Sequence, residues 1–408
     1  MRRVVVTGMA GFSPIGNDWP TISKNLRDGN TGIRYMHDWE CYKELGTRLG
    51  APVSDFEKPS HYSRKMTRSM GRVALMATVA TERALEAAGL LGNTIIADGR
   101  MGVSYGSSTG STDAIADFGN MLLNHCSSQI NANSYLKMMS HTSPVNIGVF
   151  FGLKGRVIPT SSACTSGSQG IGYAYEAIKY GHQDLMVAGG GEELCATEAA
   201  VFDTLYATST RNDTPELTPR PFDIDRDGLV IGEGAATLIL EEREHALHRG
   251  ATIYAEIIGF GTNSDGTHVT QPQVDTMYRA TAIALAQSGL KPQDIGYVSA
   301  HGAATSRGDV AESQATNRLL GSKIPISSFK SFTGHTLGAC GALEAMVTIH
   351  MMNQGWFHGT ANLENLDPEC AQLDYLTGKG REIDANYVMS NNFAFGGINT
   401  SLIFAKGS

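Results

Sequence analysis

The chain has 408 residues, with 32 Lys and Arg against 40 Asp and Glu, which leaves a formal net charge of −8. Hydrophobic residues at 41% and charged residues at 18% support a large buried core and exclude a disordered chain. The acidic balance argues against a nucleic-acid partner, and no window approaches an uninterrupted membrane-length apolar run, so no membrane partner is expected. Glycine stands out: 47 residues is about 12% of the chain, against roughly 7% on average, and without a G-X-Y period this points to tight turns and close backbone approaches.

In chain order, Val4 to Thr7 reads as a first strand, and Arg68 to Leu90 carries apolar residues at helical spacing with a stop at Gly89. Met101 to Tyr105 is a strand running into GSSTGST (106–112). Val157 to Pro159 leads into SSACTSGSQG, Gly170 to Tyr180 is helical, and Leu185 to Ala188 is a strand ending in GGGEE. After the charged segment EEREHALHRG (241–250) a second set follows: strand Ile253 to Phe260, helix Thr276 to Leu290, strand Tyr297 to Ala300, helix Asp309 to Leu320 and strand Ile324 to Ser328. It closes with helix Leu337 to Asn353 and a strand pair near Val388 to Asn391 and Thr400 to Ala405. Such alternation predicts an α/β protein of parallel sheets covered by helices on both faces. Element order predicts two similar halves, 1–250 and 251–408, with no sequence repeat between them.

Six cysteines, at 41, 126, 164, 195, 340 and 370, form no C-x-x-C pair, so reduced thiols in a cytosolic setting are expected. Cys164 sits at a strand end just before a helix, where free N–H groups and the helix dipole favour a thiolate and small neighbours leave room for an acyl group. A buried structural cysteine is the bland alternative, and the turn position weighs against it. The other five read as ordinary thiols. His301 and His335 each lie in a glycine-flanked loop, with Lys330 five residues before one and Glu312 eleven after the other. A nucleophilic cysteine with two histidines and a Lys/Glu pair suits acyl transfer followed by carbanion attack.

The segments SSACTSG, RPFDIDRDGLVIGEGA (220–235), HGAATSRGDVAE, SFKSFTGHTLGACGALEA and NNFAFGGINTSL (391–402) resemble, in order and spacing, the signatures of the elongating β-ketoacyl-acyl-carrier-protein synthases, types I and II, of the thiolase superfamily. The resemblance covers essentially the whole chain. It implies an α/β thiolase fold, five-layered α-β-α-β-α with two pseudo-repeated halves, the first carrying the nucleophile and the second the histidine pair. It implies decarboxylative condensation of an acyl group held on Cys164 with a malonyl group on acyl carrier protein, giving a 3-oxoacyl product and carbon dioxide. His301 and His335 would hydrogen-bond the malonyl thioester carbonyl, and the N–H groups of Cys164 and Phe395 would form the oxyanion hole. Lys330 and Glu312 would be a buried ion pair, Phe395 a gate, and Thr305, Thr270, Thr109 and Phe393 substrate-binding positions. No metal or other cofactor is implied. The expected assembly is a cytoplasmic homodimer, or a heterodimer with a chain-length partner.

Three departures from the family pattern stand out. Ala303 replaces a threonine expected at the pantetheine arm, Ala394 and Ile398 replace a glycine and a threonine around the gate, and Thr109 makes the pocket floor polar. Arg64, Lys65, Arg68 and Arg72 form a basic run, with 64, 68 and 72 expected on one helical face that docks the carrier protein. Fatty-acid elongation is the main reading, with a dedicated aryl polyene or polyketide pathway as the alternative. A degradative thiolase would need a C-terminal C-x-G cysteine that NNFAFGGIN lacks, and a non-catalytic chain-length partner would lack Cys164.

Overall fold

In the computed structural model, residues 1–407 are described. Eleven strands build the central sheet, a two-residue edge strand (Asp374–Tyr375) parallel to β8 and ten others: β1 (Val4–Phe12), β2 (Met101–Gly106), β3 (Val157–Pro159), β4 (Leu185–Glu192), β5 (Gly234–Glu242), β6 (Ala255–Ser264), β7 (Tyr297–Ser299), β8 (Pro325–Ser327), β9 (Tyr387–Ala394) and β10 (Ile398–Lys406). In the first half their spatial order is β1-β5-β4-β2-β3, and in the second β6-β10-β9-β7-β8, the same permutation of chain order in both. The directions repeat as well. In each half the first two pairings are antiparallel and the last two parallel. The halves meet where β1 and β6 pair antiparallel through Val4–Val6 and Ala255–Ile257.

Helices α1 (Arg72–Ala87) and α2 (Thr142–Phe151) cover the outer face of the first half, and α5 (Val274–Ser288) and α6 (Ser306–Leu320) lie outside the second. Between the halves lie α3 (Ser166–Lys179) and α7 (Cys340–Gln354), each buried almost all round, as a helix with sheet on both sides must be. The result is the five-layered thiolase arrangement. Glycine makes the middle layer possible: a Cβ on Gly172 would stand 2.2 Å from the Phe260 ring of β6, and one on Gly167 would stand 2.9 Å from the backbone of Ala342 on α7. Side chains there would force the layers apart.

The sheet is mixed rather than parallel: β5, to which the sequence reading assigns no strand, inserts antiparallel between β1 and β4, and β10 does the same between β6 and β9. The helix expected over Arg68–Leu90 begins only at Arg72, after a separate turn at Arg64–Thr67. Helix α4 (Ala196–Asp203), with an almost even distribution of apolar residues, likewise has no periodicity to betray it. No helix among the described residues is long and apolar enough to cross a membrane.

Candidate active site

Cys164 sits in a turn of 3-10 helix, Ala163–Thr165, that runs straight into α3. Ala163 takes a left-handed φ of 49°, an uncommon conformation for a residue with a Cβ. The turn is stapled from within: Ser166 Oγ donates to the Ala163 carbonyl (2.7 Å), Ser162 N–H donates to Ser166 Oγ (3.0 Å), and Thr165 Oγ1 donates to the Ser162 carbonyl (2.8 Å). The serines and threonine of SSACTSG therefore shape the elbow that presents the thiol.

His301 follows β7, and His335 lies in the loop between β8 and α7. The sulfur of Cys164 and a ring nitrogen of each histidine lie within 4.8 Å of one another, and the imidazole centroids are 5.1 Å apart at an interplanar angle of 83°. Both imidazoles are held well below their ordinary pKa, first by burial and then by the Lys330 ammonium; His301 also feels His335. Both are neutral at physiological pH. Leu337 N–H donates to His335 Nδ1 (3.1 Å), so the ring proton of His335 is on Nε2. Nδ1 of His301 is buried without a partner.

Burial pushes the Cys164 thiol up, against the Phe395 and Cys164 backbone N–H groups and the Lys330 ammonium, which favour the anion. The expectation of a resting thiolate at a helix start is therefore overturned: desolvation outweighs the favourable N–H groups in the free protein. The same two N–H groups converge on the sulfur where an oxyanion on an attached acyl group would form.

Lys330 and Glu312 are not an ion pair. Lys330 Nζ bonds Glu344 Oε1 of α7 at 2.5 Å, with both side chains about 1% exposed. Glu344 Oε2 accepts in addition from Asn392 Nδ2 at 2.6 Å. Burial works against the ammonium, but the Cys340 sulfur and the Glu344 and Glu312 carboxyls outweigh it and raise its pKa. Glu312 instead receives the backbone N–H groups of His301 and Gly302, each at 2.7 Å, and so fixes the His301 loop directly. Burial raises its pKa to about 8 against those two bonds. Glu344 lies only 14 residues after Lys330, in the same segment, and the two meet because the start of α7 turns its side chain back toward Lys330. The signal for it is a single acid inside a run apolar on every face. Cys340, read as an ordinary thiol, stands beside Cys164, its sulfur donating to the Cys164 carbonyl (3.2 Å).

A cavity of about 640 Å³ opens over these groups; Thr305, Thr270, Phe393 and Phe395 line it with Cys164 and both histidines. Ala303 lines it too, so the departure from threonine falls on the wall of the cavity itself. Phe395 begins a three-residue loop, 395–397, between β9 and β10, closed by the Ala394↔Ile398 pair, and its ring meets Phe202 edge-on at 5.9 Å. The remaining two loop residues, Gly396 and Gly397, have φ of 93° and 75°, which a larger residue would adopt only with strain. Thr109 is not on this cavity; its hydroxyl contacts Glu192 (3.0 Å) and Glu198 (2.8 Å) behind it. All four residues of the basic run, Arg64, Lys65, Arg68 and Arg72, are exposed, but Arg72 is also committed to the buried Glu233 through two bonds at 2.7 and 2.9 Å. The break before α1 means that 64, 68 and 72 do not share one helical face.

Two family models match the chain, "Beta-ketoacyl synthase, N-terminal domain" over residues 1–246 and "Beta-ketoacyl synthase, C-terminal domain" over residues 254–364. The 3-oxoacyl-[acyl-carrier-protein] synthase 2 of Synechocystis is 38% identical, over 99% of this chain and 98% of its own. A solved beta-ketoacyl synthase from Burkholderia phymatum is 60% identical, with complete coverage of both chains and a TM-score of 0.98. A type II PKS acyl-carrier protein in complex with its ketosynthase bound to the hexaketide is similar at 29% identity and TM-score 0.88, over 99% of each chain.

Proposed function

The chain belongs to the beta-ketoacyl synthase family, and from that premise we propose that it elongates acyl chains on a carrier protein, with Cys164 as the acyl acceptor. The Cys164 sulfur attacks the thioester of an acyl-carrier protein. A carbon–sulfur bond to Cys164 forms, the bond to the carrier sulfur breaks, and the Cys164 proton leaves with the carrier thiol. A malonyl-carrier protein then loses carbon dioxide, and the electron pair of the broken carbon–carbon bond becomes an enolate. That carbanion attacks the acyl-Cys164 carbonyl, forms the new carbon–carbon bond and releases Cys164, which takes up a proton. The product is a 3-oxoacyl group two carbons longer.

The observation that carries this reading is the convergence of Cys164, His301 and His335 within 4.8 Å. Neutral imidazoles with a proton on the ring nitrogen facing the cavity donate to a developing enolate oxygen without first losing a charge. The tautomer of His335 supports that role. The Cys164 and Phe395 N–H groups serve the tetrahedral oxyanion, and each such donor is worth roughly 3 kcal/mol. Lys330 polarises the group through its field on both histidines and on Cys164. Thr305 and Thr270, at the cavity mouth, bind the pantetheine arm, and Phe393 backs the histidine pair. Fatty-acid elongation is preferred to a dedicated polyene or polyketide pathway because the curated relatives that span the chain are 3-oxoacyl synthases. The chain folds as two pseudo-repeated units, 1–250 and 251–408.

The protein acts in the cytoplasm as a homodimer. Its edge strand β3 and Val149, exposed on the helix α2 packed beside that strand, form the surface that pairs with a second copy. Arg64, Lys65 and Arg68 dock the acidic carrier protein. The chemistry is tested by assay with acyl- and malonyl-carrier proteins. Cys164→Ala abolishes condensation, and retained product would refute the assignment. His335→Ala still acylates Cys164 but fails to decarboxylate malonyl thioester; the reverse pattern would overturn this division of roles.

A further inference from the structure

Behind the nucleophile turn lies a buried polar group that the condensation chemistry does not use. Thr109 Oγ1 stands 3.0 Å from Glu192 Oε1 and 2.8 Å from Glu198 Oε1. A hydroxyl has one proton to give, so two charged carboxylates cannot both be served. One of these contacts is donated by the carboxyl itself. Glu192 is the anion of the pair: besides Thr109 Oγ1 it accepts from Ser107 Oγ (2.9 Å) and from the N–H groups of Ser108 (2.7 Å), Thr109 (3.3 Å) and Gly338 (3.1 Å). Glu198 has Thr109 alone. It is therefore the neutral acid, with its proton on Oε1 toward Thr109, and burial followed by the charge of Glu192 pushes it well above the carboxylate range in the same sense. That leaves Glu198 Oε2 as a carbonyl-type acceptor, 97% of the residue being buried, with no partner.

The position of Glu198 shows what would meet it. Phe202, one helical turn further along α4 and on the same face, lines the catalytic cavity and closes edge-on against Phe395. Ala196 and Ala199, which flank Glu198, pack in one cluster with Cys164 and Leu337. We propose that a chain attached to Cys164 passes between Phe395 and Phe202 and runs along this face of α4 to Glu198, and that Glu198, steadied by Thr109, is a specificity-determining residue that selects acyl chains carrying a hydroxyl donor over saturated chains of the same length. This rests on the reading of Cys164 as the acyl acceptor.

Acylation of Cys164 by intact-protein mass spectrometry tests it, using carrier proteins charged with acetyl and with matched saturated and terminally hydroxylated acyl groups of graded length. The native protein loads the hydroxylated member at least roughly tenfold faster at the length that reaches Glu198, since a site built to bond a hydroxyl discriminates strongly against its absence. Glu198→Leu brings that ratio to about one, and Glu198→Gln, which keeps a neutral acceptor, preserves it within a few-fold. Should Glu198→Leu fail to fold by thermal melting, Thr109→Val, which frees the Glu198 carboxyl from its tether, carries the same expected loss. Equal loading of both members at every length, or an unchanged ratio in Glu198→Leu and Thr109→Val, overturns the inference alone. No acylation of Cys164 by any group, acetyl included, overturns the reading of Cys164 and this inference with it.

Discussion

The two middle helices begin with the same device and present different chemistry. Ahead of α3 a 3-10 turn, Ala163–Thr165, opens on a left-handed residue, Ala163 at φ 49°; ahead of α7 a 3-10 turn, Leu337–Ala339, opens on Leu337 at φ 44°. At the second position of the turn one half carries Cys164 and the other Gly338. A Cβ on Gly338 would stand 2.8 Å from Glu192 Oε2 and from the Ser108 N–H, so the absent side chain leaves the space in which Glu192 gathers its donors. One head shows a thiol to the cavity, and the other closes down on a buried carboxylate. The repeated fold thus supplies two equivalent elbows, and one side chain divides nucleophile from support.

The largest effect short of losing the nucleophile comes from breaking the charge that serves both halves. Lys330→Met leaves Glu344 buried without its cation and costs about 3–5 kcal/mol by denaturant unfolding, whereas Lys330→Met with Glu344→Leu recovers much of that stability without restoring condensation. Recovery of turnover in the double variant would show that the pair only holds the fold. Next, Gly338→Ala forces the Cβ onto Glu192 and costs roughly 1–3 kcal/mol by overpacking, with turnover falling as the His335 loop shifts. The equivalent position of the other elbow, Cys164, already carries a Cβ, so the substitution has no counterpart there. A Gly338→Ala protein with native melting and turnover would mean that the elbows are interchangeable.

The smallest effect is the dependence of stability on pH. Burial raises Glu192 in the folded protein to about 7, above its unfolded value. The folded state therefore binds the proton more tightly, and the stability that follows is fully present below the ordinary carboxyl range and lost as pH rises through about 7. Glu192→Gln removes this slope. Between pH ~5 and ~8 the native protein loses roughly 1–3 kcal/mol relative to the variant in urea unfolding. Parallel stability curves would place Glu192 at an ordinary carboxylate pKa.

Much of the site is legible in sequence because short motifs carry their own geometry. Small residues before and after Cys164 predict a tight elbow, and glycines beside His301 and His335 predict loops with an open face. Short strands bounded by such loops, β2, β3 and β7, are located to within a residue or so. What stays hidden depends on packing across long separations. β5 has no pattern of its own once both faces are buried, and helical spacing misplaces Arg72 because its partner, Glu233, lies far along the chain. Glu344, only 14 residues from Lys330, escapes because the direction of its side chain at the start of α7 is set by packing, and Cys340 becomes a neighbour of Cys164 only when α7 docks beside α3.

By itself the sequence determined the family and singled out Cys164, His301 and His335 as the candidate site, because the elbow and the loops are built from local backbone preferences that residues such as Gly302 and Ser166 already encode. Only the tertiary structure decided which glutamate pairs with Lys330, that Cys164 rests as a thiol, and that Thr109 ties two carboxyls together. Those outcomes follow from desolvation and from distances between residues remote in the chain, and neither quantity exists until the two halves close around α3 and α7.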